Sequence, residues 1–284
     1  MLTVLEAINL SSDFLQKKEI ESPRINAEHL LAHTLNCKRL ELYLAFDRPL
    51  KENEINKYRE LIRRRSKAEP LQYILGSVEF FGMDFKVAPG VLIPRPETEV
   101  LVENIIEIFD KKQEIKILDI GTGSGIIAIS LAKHFSNSVV TAIDISKEAL
   151  EIAKYNSELN QTGDKISFYE TDILSDNINL TNDYDLVVSN PPYVSLEEFS
   201  ELRPELSIYE PRFSLTDEDD GLKFYKEISK KSKNLLKQNG YLYFELGFGK
   251  SEKVKGIMEN NNFSEIKISQ DYSNIDRVIY GINK

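Results

Sequence analysis

Four consecutive residues, Asn190, Pro191, Pro192 and Tyr193, are the part of the sequence best suited to chemistry. They follow an apolar run, residues 184–188, that is typical of a buried strand. Two consecutive prolines cannot continue a strand or open an ordinary helix, so the chain must leave the sheet there. The Asn190 amide and the proline carbonyls make this corner rich in hydrogen-bond acceptors. The pattern indicates a binding site for a planar amide or amine nitrogen, and the alternative is a proline-rich turn without such a role.

A second motif lies upstream, where a predicted strand runs into the alternating glycines Gly121, Gly123 and Gly125 and a helix follows. Glycine permits a tight turn and lets a ligand approach the backbone closely. The spacing is not the G-x-G-x-x-G of dinucleotide-binding proteins, and no Gly-Lys-Ser/Thr triphosphate motif is present. The next predicted strand ends in Asp144, an acidic residue placed to bind the two hydroxyls of a ribose.

The elements that must position these residues alternate between strands and helices from residue 115 onward, which predicts a mostly parallel α/β sheet. Predicted strands cover residues 115–120, 138–144, 165–170, 183–189, 240–246, 264–270 and 276–282, and predicted helices cover 125–135, 146–160, 221–237 and 250–261. The last two strands form a hairpin, so the final strand should be antiparallel. Gly121, Asp144, Asp172 and Asn190 fall at or just past four successive strand ends, where such sheets bind ligands.

The region before residue 95 divides into two predicted parts. Residues 1–75 read as helical, with a helix start at Ser22-Pro23 and another helix over residues 56–68. Residues 76–94 are predicted to be a β-hairpin linker that turns at Gly82-Met83. Residues 95–284 then form the cofactor-binding domain. A basic cluster at residues 63–67 is either a solvated helix face or a docking surface for an acidic partner.

Composition and charge set limits on the function. The 284 residues are 41% hydrophobic and 29% charged, an ordinary globular balance. The net charge of −10 is uneven: residues 1–90 hold 14 Lys/Arg and 13 Asp/Glu, and the remaining residues hold 22 and 33. The resulting net of −11 after residue 90 argues against a broad phosphate-binding surface.

Cysteine, histidine and hydropathy patterns point to a cytoplasmic protein without a metal site. Cys37 is the only cysteine, so no internal disulfide is possible. No signal peptide is visible, and no apolar run approaches the ~20 residues of a membrane span. His29 and His33 share a helix spacing but lack a third ligand nearby, so we predict no metal.

The chain resembles class I S-adenosylmethionine-dependent methyltransferases and, more closely, the protein-(glutamine-N5) methyltransferase family that modifies peptide chain release factors. The matching segments are residues 92–99, Leu-Ile-Pro-Arg-Pro-Glu-Thr-Glu; 118–125, Leu-Asp-Ile-Gly-Thr-Gly-Ser-Gly; 188–193, Val-Ser-Asn-Pro-Pro-Tyr; Glu210-Pro211; and residues 276–278. The resemblance covers nearly the full length. It implies a Rossmann-like, seven-stranded class I methyltransferase domain with an antiparallel last strand, preceded by a small N-terminal helical bundle that recognises the substrate and by the hairpin linker.

The resemblance also implies a role for each site residue. S-adenosyl-L-methionine would lie against the glycine turn and the strand ends beyond it: Gly121, Thr122, Gly123, Ser124, Gly125, Asp144, Asp172, Ile173 and Asn190. The Asn190 side-chain oxygen and the Pro191 carbonyl would be the catalytic pair that accepts the N–H groups of a glutamine side chain. The rest of the substrate site would be Pro192, Tyr193 and Arg95.

The implied substrate is the glutamine of the Gly-Gly-Gln loop of a class I release factor, methylated on N5. We also expect the enzyme to be a monomer. Three other hypotheses stay open at this point. An adenine-N6 nucleic-acid methyltransferase would use the same acceptors on a flipped base. A helical adaptor on a degenerate cofactor domain would not bind the cofactor, and a nicotinamide enzyme would need a different glycine spacing.

Overall fold

The computed structural model describes residues 2–176 and 178–284, which form two compact units. The first unit runs up to Ser77 and also includes Pro204–Tyr209, and the second comprises Val78–Arg203 and Glu210–Lys284.

The helices are α1 (Val4–Gln16), α2 (Pro23–Leu35), α3 (Glu52–Arg65), α4 (Leu71–Leu75), α5 (Glu97–Ile108), α6 (Ile126–His134), α7 (Lys147–Leu159), α8 (Leu196–Ser200), α9 (Pro204–Ser207), α10 (Arg212–Leu215), α11 (Lys223–Leu235) and α12 (Ser251–Asn260), with a 3-10 helix at Arg39–Leu44. The strands are β1 (Ser77–Phe80), β2 (Met83–Lys86), β3 (Glu114–Ile120), β4 (Asn137–Asp144), β5 (Ile166–Glu170), β6 (Tyr184–Ser189), β7 (Leu236–Glu245), β8 (Phe263–Gln270) and β9 (Asp276–Asn283).

The first unit is a helical bundle. Its α1 begins with a capping box, in which the Thr3 N–H donates to the Glu6 carboxylate at 2.8 Å and the Glu6 N–H donates back to the Thr3 hydroxyl at 3.3 Å. The helix then buries Val4, Ile8 and Leu15 along one face. These side chains pack with those of α2 and α3 in a single apolar cluster, so the bundle has its own core.

The basic cluster at residues 63–67 is not a uniformly solvated face, because Arg65 is buried within the first unit. Its Nε donates to the Asn26 side-chain oxygen at 2.6 Å, and its guanidinium pairs with Glu205 of α9. The adjacent Arg64 pairs with Glu69 through an Nε–Oε2 bond of 2.9 Å. Arg65 therefore holds the Pro204–Tyr209 segment against α2 and α3.

The predicted hairpin forms β1 and β2, but its turn lies at Phe81-Gly82, one residue earlier than the predicted Gly82-Met83. Phe80 and Phe85 are buried in the core of the second unit, where their rings meet edge to face. The Asn156 side chain of α7 also bonds both the N–H and the carbonyl of Lys86, at 2.7 and 3.0 Å. The hairpin is thus a packed part of the second unit.

The second unit is built on a seven-stranded sheet with the order β5-β4-β3-β6-β7-β9-β8. The strands from β5 to β7 in this order pair in parallel, whereas β9 pairs antiparallel with both neighbours. The predicted fold class and the antiparallel last strand are therefore confirmed. Residues alternate between two apolar layers, with Ile117 on one face and Leu118 on the other.

The order of the strands reverses at β3, which lies between β4 and β6. Ile120 is in register with Ile143 of β4 and with Ser189 of β6. The carboxyl ends of three strands therefore meet at one edge, which is where open α/β sheets bind ligands. Across the described residues, no helix is both long and apolar enough to cross a membrane.

Candidate active site

A cavity of roughly 200 Å³ lies in the second unit at the carboxyl ends of β3, β4 and β6. Its lining includes eight residues predicted from the sequence: Gly121, Gly123, Asp144, Asp172, Ile173, Asn190, Pro191 and Pro192. Five other predicted residues do not line it: Arg95, Thr122, Ser124, Gly125 and Tyr193. The cavity thus joins the glycine turn and the Asn-Pro-Pro corner in one site.

The glycine turn leaves β3 through residues that need left-handed backbone conformations, with φ of +72° at Gly121, +56° at Gly123 and +87° at Gly125. The Gly121 and Thr122 N–H groups both donate to the Ile143 carbonyl, at 2.9 and 3.0 Å, which holds the turn beside β4. A Cβ atom at Gly121 or Gly123 would meet nothing within 4 Å, so this part of the turn is open to a ligand.

Gly125 has a packing role in the structure. A Cβ atom there would lie 2.9 Å from Ile129 Cδ1 and 3.1 Å from Ala153 Cβ. The glycine therefore allows α6 to start against α7. Ser124 is also buried, and its carbonyl accepts a 2.9 Å hydrogen bond from the Asn156 side chain.

Asp119 lies under the turn, in β3, and was not predicted as a site residue. Its Oδ2 accepts hydrogen bonds from the Thr122 hydroxyl at 2.7 Å and from the Ala128 N–H at 3.2 Å. Gly125 precedes α6 without a capping side chain, so Asp119 supplies an acceptor for that helix start from the strand. Burial raises the pKa of Asp119 to about 7. The Asp in the Leu-Asp-Ile-Gly segment was a visible signal for this role.

Asp144 is the last residue of β4 and points its carboxylate at the glycine turn. Oδ2 accepts the Gly123 N–H at 2.8 Å and Oδ1 accepts the Ser146 N–H at 2.9 Å. Burial raises the pKa of this carboxyl group, and the backbone hydrogen bonds oppose that shift. The carboxylate can accept a further hydrogen bond, such as that of a ribose hydroxyl.

Beyond β5 the cavity is mostly apolar. Ile173 is buried, and Ile145, Phe213 and Phe224 also contribute to the lining. Asp172 is exposed, and its Oδ1 accepts the Leu174 N–H at 2.8 Å. A flat aromatic base fits such a slot because the apolar walls cover its faces and a carboxylate can accept from an exocyclic amino group. Phe213 and Phe224 come from a region without a predicted site residue and carry no local sequence signal.

The Asn190 corner follows β6 directly. The Ser189 hydroxyl donates to the Ile120 carbonyl at 2.8 Å, which fastens the end of β6 to β3. The Asn190 side-chain nitrogen donates to the Thr98 hydroxyl at 3.3 Å, and Pro191 and Pro192 line the cavity. The corner therefore presents acceptors on the same edge as the glycine turn.

Tyr193 packs closely against two glycines, which leave no room for a side chain at their positions. A Cβ atom at Gly247 would lie 2.8 Å from Tyr193 Cδ2, and one at Gly221 would lie 2.3 Å from the Tyr193 carbonyl oxygen. Burial raises the pKa of the Tyr193 phenol, so its hydroxyl is protonated at neutral pH. The ring therefore packs closely against Gly247 and does not line the cavity.

Arg95 is paired with the buried carboxylate of Glu210, whose Oε2 also accepts the Ile93 N–H at 3.2 Å. Two of the segments that carried the resemblance, residues 92–99 and Glu210-Pro211, are thus joined to each other. The pair compensates the buried Glu210 charge, and Arg95 does not line the cavity.

Glu245 is a functional candidate that sequence reasoning missed. It ends β7, is 1% exposed, and its carboxyl group faces the side chains of Thr98 and Asn190. Burial raises the pKa of its carboxyl group to about 7. No local signal marks it, because a glutamate at a strand end is common on protein surfaces.

Two family models match the chain. Residues 6–76 match the PrmC N-terminal domain, and residues 96–206 match the Methyltransferase small domain. Among curated proteins, the chain is similar to the release factor glutamine methyltransferase of Fusobacterium nucleatum, with 43% identity over 97% of this chain and 77% of that protein. It is also similar to the release factor glutamine methyltransferase of Geobacter sulfurreducens, with 39% identity over 98% of this chain and 96% of that protein.

Among solved structures, a crystal structure of a methyltransferase from Pyrococcus furiosus matches with a TM-score of 0.53. The match covers 72% of this chain and 90% of that one at 18% identity, so it shows the fold alone.

Proposed function

Because the chain belongs to the release factor glutamine methyltransferase family, we propose that it methylates N5 of the glutamine in the Gly-Gly-Gln loop of a class I peptide chain release factor. S-adenosyl-L-methionine supplies the methyl group, carried on a sulfonium. One observation carries the proposal: Asn190 and Pro191 line the same cavity as Gly121, Gly123 and Asp144. The hydrogen-bond acceptors of the Asn190 corner and the glycine turn that would hold the cofactor therefore face the same cavity.

The residues of the cavity fit the cofactor. The open space above Gly121 and Gly123 admits the methionyl part close to the backbone. The Asp144 carboxylate faces the same glycine turn and would accept hydrogen bonds from the ribose hydroxyls. Ile173 and Asp172 would hold the adenine by packing and by a hydrogen bond, respectively.

The chemistry at the corner is mainly orientation. An amide nitrogen is a poor nucleophile because its lone pair is delocalised into the carbonyl. The Asn190 Oδ1 and the Pro191 carbonyl would each accept one N–H of the glutamine amide, and Tyr193 would support the corner from behind. Holding the two reactants in this orientation lowers the activation barrier by ~7–11 kcal/mol in ideal cases. The same acceptors would stabilise positive charge that grows on the nitrogen, and the displaced proton would leave to solvent.

The substrate sets the remaining expectations. The helical first unit, which matches the N-terminal family model, would contact the release factor away from its loop. A release factor substrate would also place the reaction in the cytoplasm. The adenine-N6 alternative has no support among the similar proteins described above, which are named for release factors.

The test is a labelling experiment with methyl-labelled S-adenosyl-L-methionine. The protein is incubated with a release factor and, in parallel, with the same factor carrying a Gln→Ala change in its Gly-Gly-Gln loop. We expect label in the first reaction only, located on the loop peptide by mass spectrometry. Equal labelling of both factors would contradict the proposal.

A further inference from the structure

The side chains of Asn190, Thr98 and Glu245 meet beneath the Asn190 corner. Asn190 Nδ2 donates to the Thr98 hydroxyl at 3.3 Å. Thr98 lies in the first turn of α5 with no exposed surface, and both it and Asn190 face the carboxyl group of Glu245. Glu245 Oε2 has no hydrogen-bond partner among the described residues, although the side chain is 1% exposed. A buried carboxylate without full pairing is costly, so its retention calls for an explanation.

The direction of these bonds controls what Asn190 offers to a substrate. A half-turn of its amide exchanges the acceptor oxygen for the NH₂ group with almost no change of shape. A threonine hydroxyl has only one hydrogen. When that hydrogen is donated to the Glu245 carboxylate, the hydroxyl offers Asn190 only lone pairs. The amide must then turn its NH₂ group toward Thr98 and its oxygen away from it.

We propose that Glu245 is a positioning residue that, together with Thr98, holds the Asn190 amide with its oxygen toward the substrate nitrogen. This inference rests on the proposed function for the identity of that nitrogen. Glu245 touches neither substrate nor cofactor in this arrangement. Its contribution is to exclude the flipped amide, which would present donors to a substrate that is itself a donor.

The charges around Glu245 keep it responsive to pH. Burial raises the pKa of its carboxyl group to about 7, although Thr98, Arg277 of β9 and Asn190 lower it, and Glu97 of α5 raises it further. The Tyr193 and Tyr225 phenols also face it, and both are protonated at neutral pH because burial raises their pKa values. A protonated Glu245 carries an O–H that can donate to Thr98. The hydroxyl hydrogen is then free to point at Asn190, and the constraint on the amide is lost.

The experiment compares Glu245→Gln and Thr98→Val with wild type, using Glu252→Gln on the exposed face of α12 as the matched control. We expect both variants to lower kcat about ten-fold, the effect of one lost charge-assisted hydrogen bond, with little change in the Kd of S-adenosyl-L-homocysteine. Thr98→Ser should restore most of the rate lost in Thr98→Val. Wild type should also lose rate below about pH 7, and Glu245→Gln should lack this acid limb.

Two readouts separate this inference from the proposed function. If wild type labels the release factor and Glu245→Gln matches its rate, the inference is wrong and the function stands. If wild type labels no release factor, the function is wrong, and the side-chain amide protons of Asn190 still decide the inference by NMR. They should exchange slowly with solvent in wild type and faster in Glu245→Gln, and equal exchange would overturn the inference.

Discussion

The carboxylate of Asp144 at the end of β4 accepts a 2.8 Å hydrogen bond from the backbone N–H of Gly123. The bond joins two residues that are 21 positions apart in sequence and that were predicted separately, one for its flexibility and the other for its charge. The glycine turn is therefore held by the same carboxylate that is placed to bind the ribose. Cofactor binding and the shape of the turn should depend on one side chain.

Asp144→Ala should weaken cofactor binding about 100-fold or more, because two hydrogen bonds from ribose hydroxyls to a charged group contribute about 1.5–3 kcal/mol each. Isothermal titration with S-adenosyl-L-homocysteine measures this. The control is Asp164→Ala, which removes an exposed carboxylate outside the cavity. An unchanged Kd for Asp144→Ala would show that the ribose is held elsewhere.

Asn190→Ala should leave cofactor affinity close to wild type and reduce the transfer rate by about 10²–10³, the usual loss for one preorganised hydrogen-bonding group at a reacting centre. Single-turnover methylation of the release factor gives the rate, and titration gives the affinity. A variant that transfers at the wild-type rate would remove Asn190 from the catalytic pair.

Gly125→Ala should destabilise the second unit by about 1–3 kcal/mol, because the new methyl would overlap Ile129 and Ala153 and the residue would keep a φ of +87°. Gly256→Ala is the matched control, since it lies in α12 with nothing within 4 Å of the added atom. That change should instead stabilise the protein by about 0.5–1 kcal/mol. Urea unfolding followed by circular dichroism should show that the two variants change the free energy of unfolding in opposite directions. Changes in the same direction would contradict the packing role of Gly125.

Stability should fall as the pH rises from about 5 to about 8, with Asp119 responsible for a large share. Burial raises the pKa of Asp119 from 3.8 to about 7, so between these values the folded protein holds a proton that the unfolded chain has released. The free energy of unfolding therefore decreases with pH, by roughly 2–4 kcal/mol for this group, until its folded pKa is passed.

The measurement is urea unfolding of wild type and Asp119→Asn at both pH values. Asp144 and Glu245 shift stability in the same direction as Asp119, and His29, His33 and His134, whose pKa values are lowered by burial, shift it in the opposite direction. These groups are common to both proteins, so a smaller loss in Asp119→Asn isolates Asp119. An equal loss in both proteins would mean that Asp119 does not titrate in this range.

The predicted secondary structure followed from local patterns, because the period of apolar residues and the breaks at glycine and proline depend only on neighbours in the chain. The same patterns placed Gly121, Asp144 and Asn190 at strand ends. Parallel strands bring their carboxyl ends to one edge, so the common location of these residues was also within reach of the sequence.

Only the tertiary structure decided which charged groups are buried and what they pair with. Both β5 and β7 end in a glutamate, and the two are indistinguishable by local pattern. Glu170 lies at the end of the edge strand β5 and is exposed, whereas Glu245 ends the interior strand β7 and is covered by α5 and β9. Arg95 likewise meets Glu210 across 115 positions of sequence. Burial and partners depend on the strand order and on contacts between distant segments, and no window of sequence contains that information.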